Sequence, residues 1–490
     1  MNRPTCATRY GLRTTAAVLA FFVLTACTLA PPYERPAAPV PANWPTGPAY
    51  LAPATAVQPA PFETQPAPAP APAGVPPWRD FFAEPRLRQA IALALSNNRD
   101  LKLVTLNVER YRATYQIERS ALLPTVNGTA SANIQQFPET LSETGEQEVV
   151  EQYGVGVGVS AWELDLFGRV RSLSKKALEE YLATDAARRS VENALIAAVA
   201  EGWLTLAADR EQLTLAKKTL ESRSASYELI RQRAAAGVSS DLDLYQAQST
   251  VDGARALSAR YTRLVAWDEN RLSLLLGTPL PPELRPEQLT DDASLLQELA
   301  PGLPSETLLM RPDIVAAEHL LKGANANIGA ARANFFPRIT LTGAVGVGSD
   351  DLGQLFSGGA GAWNFLPQVT LPIFTAGRNW ALLKVSEVDR AIAVAQYEKT
   401  IQSAFREVAD ALAERGTIDE QLAAQQSMTA AFAESYRLAD ARYSRGIDSF
   451  LASLDAQRFL FASEQELIST RLARLSNRVT LYKVLGGGAE

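Results

Sequence analysis

Two stretches of the chain alternate apolar residues with small or polar ones at a period of two, the pattern of a β-strand with two unlike faces. In YGVGVGVSAWELDL (153–166), Tyr153, Val155 and Val157 alternate with glycines. Residues 125–137 and 338–374 alternate in the same way. Each run spans about 10–13 residues, enough for a tilted strand to cross a bilayer. The pattern predicts two β-hairpins, over 125–166 and 338–374.

The faces of these strands allow two interpretations. Apolar residues opposite small or polar ones are typical of strands in a membrane barrel. The same alternation also suits a soluble hairpin that packs one face on a core. The glycine-lined face favours the barrel. Because four strands cannot close a barrel and open edges are not tolerated in lipid, a barrel would need further copies of the chain.

Outside the hairpins, apolar residues recur three or four positions apart, which is the period of a helix. Tyr397, Ile401 and Phe405, each four residues after the last, are an example. A pair of helical patterns covers 86–122, and one long pattern covers each of 170–236 and 378–445. At 1.5 Å per residue each long pattern predicts a helix of about 100 Å. Their many alanines favour close, coiled-coil-like packing, either around a channel or in a closed bundle.

The second half of the chain repeats the first. Pro337 follows Pro124 by 213 positions, whereas Gly446 follows Gly237 by 209, and we attribute the difference to a shorter loop in the second hairpin. The order of landmarks predicts an internal tandem duplication. We divide the chain into a signal segment, a lipid anchor and strap, repeat 1, an equatorial linker, repeat 2 and a tail, over 1–26, 27–85, 86–277, 278–305, 306–486 and 487–490.

A glycine interrupts each long helical pattern near its end, at Gly237 and Gly446. Glycine is common just after a helix because it adopts the left-handed conformation without a Cβ penalty. A new helix can then begin at a side chain that caps its first turn. We therefore expect a sharp helix–turn–helix at each glycine. The candidate caps are Ser239 or Ser240 in repeat 1, with Asp243 three residues later, and Asp448 or Ser449 in repeat 2.

Composition changes the interpretation of the N-terminus. Three arginines precede the apolar run AAVLAFFVLTA (16–26), which is too short to span a bilayer and predicts a secretory signal. LTAC (24–27) resembles a bacterial lipobox, which implies a palmitate-type lipid on Cys27 and sorting to the outer membrane. An ordinary signal peptide with a chance cysteine is the alternative. The Pro/Ala-rich residues that follow predict an extended strap.

Charge and residue counts exclude several classes of function. The 490 residues carry a net charge of −6, which gives no bias toward nucleic acid. No later stretch reaches 18 consecutive apolar residues. One histidine and two cysteines offer little for a metal site or general-base catalysis, so His319 is assigned a structural or surface role. We predict no enzyme activity and no cofactor beyond the lipid on Cys27.

Several short motifs together resemble the outer-membrane factor family, the trimeric outer-membrane channels of bacterial tripartite efflux pumps. The nearest likeness is to the lipoprotein branch that serves pumps of the resistance–nodulation–division type. The motifs are LTAC, WRDFFAEPRL (78–87), ALLP, NFFP, DLFGR, IFTAGR and the two glycine turns. The resemblance implies an α+β membrane protein: a trimeric 12-stranded β-barrel, four strands per chain, continued by a long α-helical periplasmic barrel.

The resemblance also implies roles for residues near the turns. Leu451 and Asp455, four apart on one helix face, would face the tunnel where it narrows, as a leucine constriction and an acidic ring. Repeat 1 has Leu242 and Gln246 at these places. A solvated surface carboxylate is the alternative for Asp455. The contact with a periplasmic adaptor protein is expected at the two turns, through Gly237, Ser240, Gly446 and Asp448.

The implied function is a passive exit duct for drugs or other small toxic compounds, energised by an inner-membrane transporter. Two alternatives remain open. One is an outer-membrane duct of a metal-efflux or protein-secretion system. The other is a structural helical lipoprotein scaffold whose β regions stay soluble.

Overall fold

A computed structural model describes residues 28–50, 75–142, 145–290, 296 and 305–487. Cys27 and the signal segment 1–26 lie outside the described residues. The chain divides into two compact units, each assembled from separate segments. The first holds the described residues up to 37 together with 107–185 and 316–398, and the second holds those from 38 to 106, from 186 to 315 and from 399 onward.

The helices follow the predicted order closely. In chain order they are α1 Trp78–Phe81, α2 Pro85–Asn97, α3 Arg99–Ser120, α4 Arg169–Ala235, α5 Asp241–Leu276, α6 Pro312–Ala333, α7 Arg378–Ser444 and α8 Phe450–Val484. Helices α4 and α7 have 67 residues each, which corresponds to about 100 Å. Their equal length in the two halves confirms the internal duplication.

Asn98 separates α2 from α3 and explains why the first helical region is a pair. Its side-chain oxygen accepts a hydrogen bond from the Leu101 N–H at 2.9 Å, and its amide donates to the Leu275 carbonyl at 2.9 Å. The first contact satisfies an N–H that the start of a helix leaves without a partner. The second ties this break to the end of α5.

The strands form one antiparallel sheet in the order β1-β2-β3-β4. Their bounds are β1 Val126–Phe137, β2 Glu148–Glu163, β3 Arg338–Ser349 and β4 Gly361–Thr370. The two predicted hairpins are therefore present. They join through β2 and β3, where Val157 pairs with Val345.

The sheet leaves its apolar face uncovered in the described part of the chain. Every residue of β4 is exposed, including Trp363 at 80 % and Val369 at 65 %. Trp363 pairs with Val345, so these apolar side chains share one face. A soluble hairpin would pack this face on a core, and here no core covers it. Exposed contiguous apolar surface of this kind marks contact with lipid or protein.

Glycines on the opposite face bring neighbouring strands close together. A Cβ at Gly158 would lie 2.7 Å from the Cβ of Ala344, and one at Gly156 would lie 3.0 Å from the Val345 carbonyl oxygen. Real side chains do not approach so closely, so only glycine fits this arrangement at Gly158. The glycine-rich pattern noted in the sequence thus reflects strand geometry on that face.

Some predicted strand bounds are wrong. Strand β2 begins at Glu148, five residues before the predicted start, and β4 ends at Thr370, before Leu371 and Ile373. The loop joining β3 to β4 (350–360) is no shorter than the loop joining β1 to β2 (138–147). The shorter second region arises instead because β4 has 10 residues and β2 has 16. Periodicity did not reveal where the paired length of each strand stops.

A bulge near the end of β2 accounts for part of its extra length. The register with β3 shifts between Val159 and Trp162. Ala161 has φ 51°, and its N–H donates to the Thr342 hydroxyl at 3.0 Å. A bulged residue commonly bends and twists a strand in this way.

The three aromatic residues of the WRDFF motif lie in the core of the second unit. Phe81 stacks on Tyr482 of α8 with ring centroids 4.4 Å apart, and Phe82 meets the same ring edge-on at 5.7 Å. All three rings are fully buried. Nearby, the Trp203 indole N–H donates to the Leu284 carbonyl at 3.0 Å, which fixes the linker against α4. The aromatic contacts hold the start of the folded chain against its last helix.

One helix of the described chain has the length and hydropathy of a membrane span. The stretch lies in α4, and 61 % of it is buried inside the structure. Helices in the core of a soluble region pass the same test, so it gives weak support for a helical span.

Candidate functional site

The first turn, around Gly237, is a helix stop followed by a helix start. Gly237 has φ +73°, and the Val238 N–H donates to the Arg233 carbonyl at 2.9 Å. This is the geometry of a left-handed helix end. Ser240 then begins α5: its hydroxyl accepts from the Asp243 N–H, and the Asp243 carboxylate accepts from the Ser240 N–H. The Ser240 hydroxyl also donates to Asp243, and these bonds lower the pKa of that carboxyl.

The second turn, around Gly446, stops its helix in the same way but starts the next one differently. Gly446 has φ +72°, and the Ile447 N–H donates to the Arg442 carbonyl at 3.0 Å. Ser449 occupies the capping position of α8, yet its side chain makes no capping bond. The Asp448 carboxylate does not cap α8 either, because it accepts two bonds from the Arg442 guanidinium, at 2.6 and 3.0 Å.

The Arg442–Asp448 pair distinguishes the second turn from the first. Bonds from Arg442 lower the pKa of Asp448. At the offset of 209, Arg233 matches Arg442 but Ser239 stands in place of Asp448. Arg233 instead donates to the Tyr443 hydroxyl at 3.0 Å, which joins the two turns. Repeat 2 therefore braces its turn internally, whereas repeat 1 braces its turn against repeat 2.

The proposed gate residues lie in the first two turns of α8. Leu451 is 44 % exposed. Asp455 forms an ion pair with Arg458 at 3.2 Å, and both side chains are about half exposed. Sequence reasoning missed Arg458, although an arginine three residues after an aspartate on a helix is a recognisable pairing signal. Repeat 1 has Gln246 and Ser249 at these two positions, so only repeat 2 carries the charged pair.

Exposed apolar side chains surround both turns and were not predicted. They include Val238, Leu242, Tyr245 and Ile447, each more than half exposed. Apolar groups gathered at a turn are typical of a surface that another protein covers. The charged Arg442–Asp448 pair lies within the same surface.

Comparison with known proteins places the chain in a family. The family described as "Outer membrane efflux protein" matches residues 90–278 and 303–487, which are two successive segments that make up most of the chain. The chain belongs to this family. It is 50 % identical to the toluene efflux pump outer membrane protein TtgC of Pseudomonas putida over 468 residues, which is 95 % of this chain and 94 % of that protein. It is 42 % identical to outer membrane protein OprJ of Pseudomonas aeruginosa over 473 residues, 96 % and 95 % of the two chains.

Solved structures agree with this assignment. A membrane protein from Pseudomonas aeruginosa superposes with a TM-score of 0.85 at 41 % identity, covering 94 % of this chain and 98 % of that one. The open state of the MtrE outer membrane channel of Neisseria gonorrhoeae gives 0.82 at 39 % identity, with the same coverages. These matches confirm the family, the α+β fold class and the predicted localisation. The chain is an outer-membrane channel component of an efflux pump, and its helices extend into the periplasm.

The single histidine of this efflux protein has a structural partner. His319 Nδ1 lies 2.7 Å from a Glu179 carboxylate oxygen, which agrees with the structural role expected for it. Among the described residues, no three His, Cys, Asp or Glu side chains gather as a metal site would require.

A pair of carboxyl groups lies between α4 and α5 of this efflux protein, and sequence reasoning missed it. Asp209 and Asp268 share a hydrogen bond. Burial, together with the charge of Asp209 and this bond, raises the pKa of Asp268 to about 7. The pair therefore holds one proton below about pH 7. It could not be read from the sequence, because the two residues are far apart in the chain.

Proposed function

We propose that this efflux protein is the passive exit duct of a tripartite pump for drugs, solvents or other small toxic compounds. In this proposal it acts as a trimer and works with a periplasmic adaptor protein and an inner-membrane transporter. The observation that carries the proposal is a four-stranded sheet with an uncovered apolar face, attached to two 67-residue helices that end in matching turns.

The edges of the sheet support assembly from several copies. Within the described residues, β1 pairs only with β2, and β4 pairs only with β3. Unpaired strand edges are not tolerated in lipid, so β1 and β4 need partners from other copies. Three copies would give a 12-stranded barrel, an even number typical of such proteins.

The substrate class is proposed from relatives. Proteins 50 % identical to this chain are named as outer membrane proteins of toluene and antibiotic efflux pumps. Small organic compounds are therefore favoured over metals or proteins. No residue on this chain is assigned to catalysis or to a cofactor other than the proposed lipid on Cys27, because a duct needs only a passage and docking surfaces.

The proposal is tested by conductance and by complementation. Purified protein in a planar bilayer should form pores of uniform conductance, whereas a structural scaffold would form none. In a host that lacks its own outer-membrane pump component, the chain with its adaptor and transporter should restore resistance to toluene and antibiotics. Restored resistance to copper or silver alone would instead support the metal-efflux alternative, and pores absent from every preparation would overturn the duct.

The turns are proposed as the adaptor contact, through Gly237, Ser240, Gly446 and Asp448. A leucine at Gly446 should reduce chemical cross-linking to the adaptor at least several-fold and leave the trimer intact. Part of this effect comes from φ +72°, since a left-handed residue with a Cβ costs about 1–2 kcal/mol. Gly253→Leu controls for the bulk of leucine alone, since its surroundings are equally open but it lies inside α5 without a positive φ. Normal cross-linking of the Gly446 variant would contradict the assignment.

A further inference from the structure

A cavity lies where the sheet of the first unit meets its helices. Its volume is about 310 Å³, which is the size of a pocket that holds a small organic molecule. Three connections between strands and helices line it: β2 to α4, α6 to β3 and β4 to α7. The lining residues fall within 163–169, 333–338 and 370–379, all in the first unit. We call this space the junction cavity.

The strand residues that line the junction cavity come from the polar face of the sheet. Arg338 of β3 pairs with Thr370 of β4. Glu163 pairs with Thr340, which lies two residues after Arg338 and therefore on the same face. Val369, next to Thr370, belongs to the opposite, apolar face. In the proposed duct the apolar face meets lipid, so the junction cavity lies on the wall of the passage.

The carboxylates of the junction cavity already have partners. Glu163 accepts hydrogen bonds from Arg169 at 2.8 and 2.6 Å, and one of its oxygens lies 3.1 Å from Arg338 Nε. Asp165 accepts from the backbone N–H of Arg171 at 2.9 Å and from its guanidinium at 3.1 Å. Glu163 is thus shared between two arginines, and Asp165 is bound by an arginine that lies outside the cavity lining.

Arg378 also lines the junction cavity, and its guanidinium has no carboxylate partner among the described residues. Its side chain is exposed. At the offset of 209, Arg378 matches Arg169, but Pro372 stands in place of Glu163, and Pro372 lines the same cavity. Repeat 1 therefore provides a carboxylate for its arginine, whereas repeat 2 does not. Because a guanidinium binds oxyanions strongly, Arg378 can accept an anion from outside the chain.

The rest of the junction cavity has an apolar wall. Phe167 and Phe336 stack with ring centroids 4.8 Å apart and planes inclined by 24°, and both line the cavity. Leu164, Leu166 and Pro337 extend this wall. Phe336 is 40 % exposed, so part of its surface can contact a bound molecule. An aromatic ligand gains energy by packing against rings of this kind.

We propose that the junction cavity binds amphipathic organic anions, which are molecules with an apolar body and one sulfonate, carboxylate or phosphate group. The Arg378 guanidinium binds the acidic group, in the role that Arg169 has toward Glu163 in repeat 1. The stacked rings of Phe167 and Phe336 contact the apolar body. This inference rests on the proposed function, which puts the cavity on the wall of the duct.

The consequence for the duct is a preference among small organic compounds. The cavity lining carries three arginines against two carboxylates, and a surplus of positive charge attracts anions and repels cations. An organic anion is therefore retained at one site in each copy of the chain. A cation of the same size is not retained, and a neutral solvent meets only the apolar wall.

The test compares three compounds that share the same aromatic rings. Naphthalene sulfonate is the probe, and naphthalene methanol and naphthylmethylammonium are its neutral and cationic controls. Fluorescence anisotropy of each compound measures binding to the full-length, acylated protein in detergent. The wild type should bind the sulfonate about ten-fold more tightly than the alcohol, which is the gain expected of one charge-assisted hydrogen bond. The ammonium compound should bind most weakly.

Variants of the cavity locate the anion. Arg378→Gln should weaken sulfonate binding about ten-fold and leave alcohol binding unchanged. Pro372→Glu should weaken sulfonate binding to the same extent, because the chain then supplies its own carboxylate to Arg378. Pro372→Gln, which is similar in size but neutral, should bind the sulfonate as the wild type does. Arg437→Gln removes an exposed arginine from the same helix and controls for the loss of one charge.

The outcomes separate this inference from the duct. Equal affinity of the wild type for sulfonate and alcohol would overturn the anion site, as would unchanged sulfonate binding in both Arg378→Gln and Pro372→Glu. Inorganic phosphate at matched ionic strength should displace the sulfonate only weakly, and equally effective displacement would overturn the need for an apolar body. Normal pores without sulfonate binding would overturn this inference alone. Absence of pores would overturn the duct, and the binding result in detergent would still decide the site.

Discussion

At the scale of single residues, small differences between the repeats decide which side-chain contacts hold each turn and the start of the helix that follows it. Asp448 binds Arg442, whereas Ser239 at the equivalent position leaves Arg233 to bind Tyr443. Asp455 and Arg458 form a charged pair where repeat 1 has neutral residues. A tandem duplication supplies two copies of a helix pair, and such substitutions hold the two copies by different contacts.

The Asp209–Asp268 pair predicts a pH-dependent stability. The folded protein holds the Asp268 proton more tightly than the unfolded chain does, since its pKa rises to about 7 from the ordinary 3.9 or so. This contribution is present below about pH 4 and is lost as the pH rises toward 7. Asp268→Asn should therefore raise the melting temperature at pH 8, by about 2–4 °C, and have little effect near pH 4.

Thermal unfolding at pH 5 and pH 8 measures this difference. The charged neighbours Arg260 and Arg271 both act on the pair from α5, so Arg271→Gln serves as a control that keeps both carboxyl groups. A pH-independent difference between Asp268→Asn and the wild type would contradict the shared proton.

At the scale of elements, the starts of α5 and α8 differ although the turns before them match. Ser240 and Asp243 form a reciprocal capping box at α5. Ser449 occupies the same place at α8 without a side-chain bond. The two helices are otherwise similar in length, at 36 and 35 residues. The chain therefore contains its own matched control for the value of a cap.

Ser240→Ala should destabilise the start of α5 by about 1 kcal/mol, because it leaves a helix N–H without its partner. Ser449→Ala should change the start of α8 by a few tenths of a kcal/mol at most. Hydrogen exchange of the first-turn amides measures both effects locally. Equal loss of protection in the two variants would show that the side-chain bond at Ser240 is not what stabilises α5.

At the scale of the whole molecule, the proposed gate and the strand pairing between copies can be tested in the assembled channel. Three Leu451 side chains and three Asp455–Arg458 pairs would line the narrowing in a trimer. Leu451→Ala combined with Asp455→Ala should raise the open probability of single channels and reduce cation preference. Leu242→Ala with Gln246→Ala is the matched control from repeat 1. Unchanged currents in the first variant would rule out the gate.

The strand pairing between copies should repeat the pairing of β2 with β3 inside one chain. Trp162 of β2 pairs with Leu341 of β3. The repeat offsets carry these two partners onto β4 of one copy and β1 of the next. Two residues further along the paired strands, Val369 of one copy then lies opposite Ala130 of the next. Direct neighbours across a sheet share a face, and this pairing joins the apolar face of β4 to the matching face of β1.

Cysteines at Val369 and Ala130 should therefore form a disulfide between copies, visible as a covalent trimer on a denaturing gel. Cysteines at Val369 and Ser131 should not, because Ser131 points to the opposite face. The predicted register would be contradicted if the second pair cross-linked efficiently, or if both pairs failed to cross-link.

The sequence by itself determined the repeated elements and the family. Period-two alternation located both hairpins, period-3.6 spacing located α4 and α7, and glycine followed by a capping residue located the turns, because these signals depend on neighbours in the chain. Only the tertiary structure decided which distant groups meet. The Arg35–Glu318 ion pair, the carboxyl pair of Asp209 and Asp268, and the Arg233–Tyr443 bond all join residues that are close in space and remote in sequence. The tertiary structure also decided the length of each strand, because pairing stops where a partner strand ends.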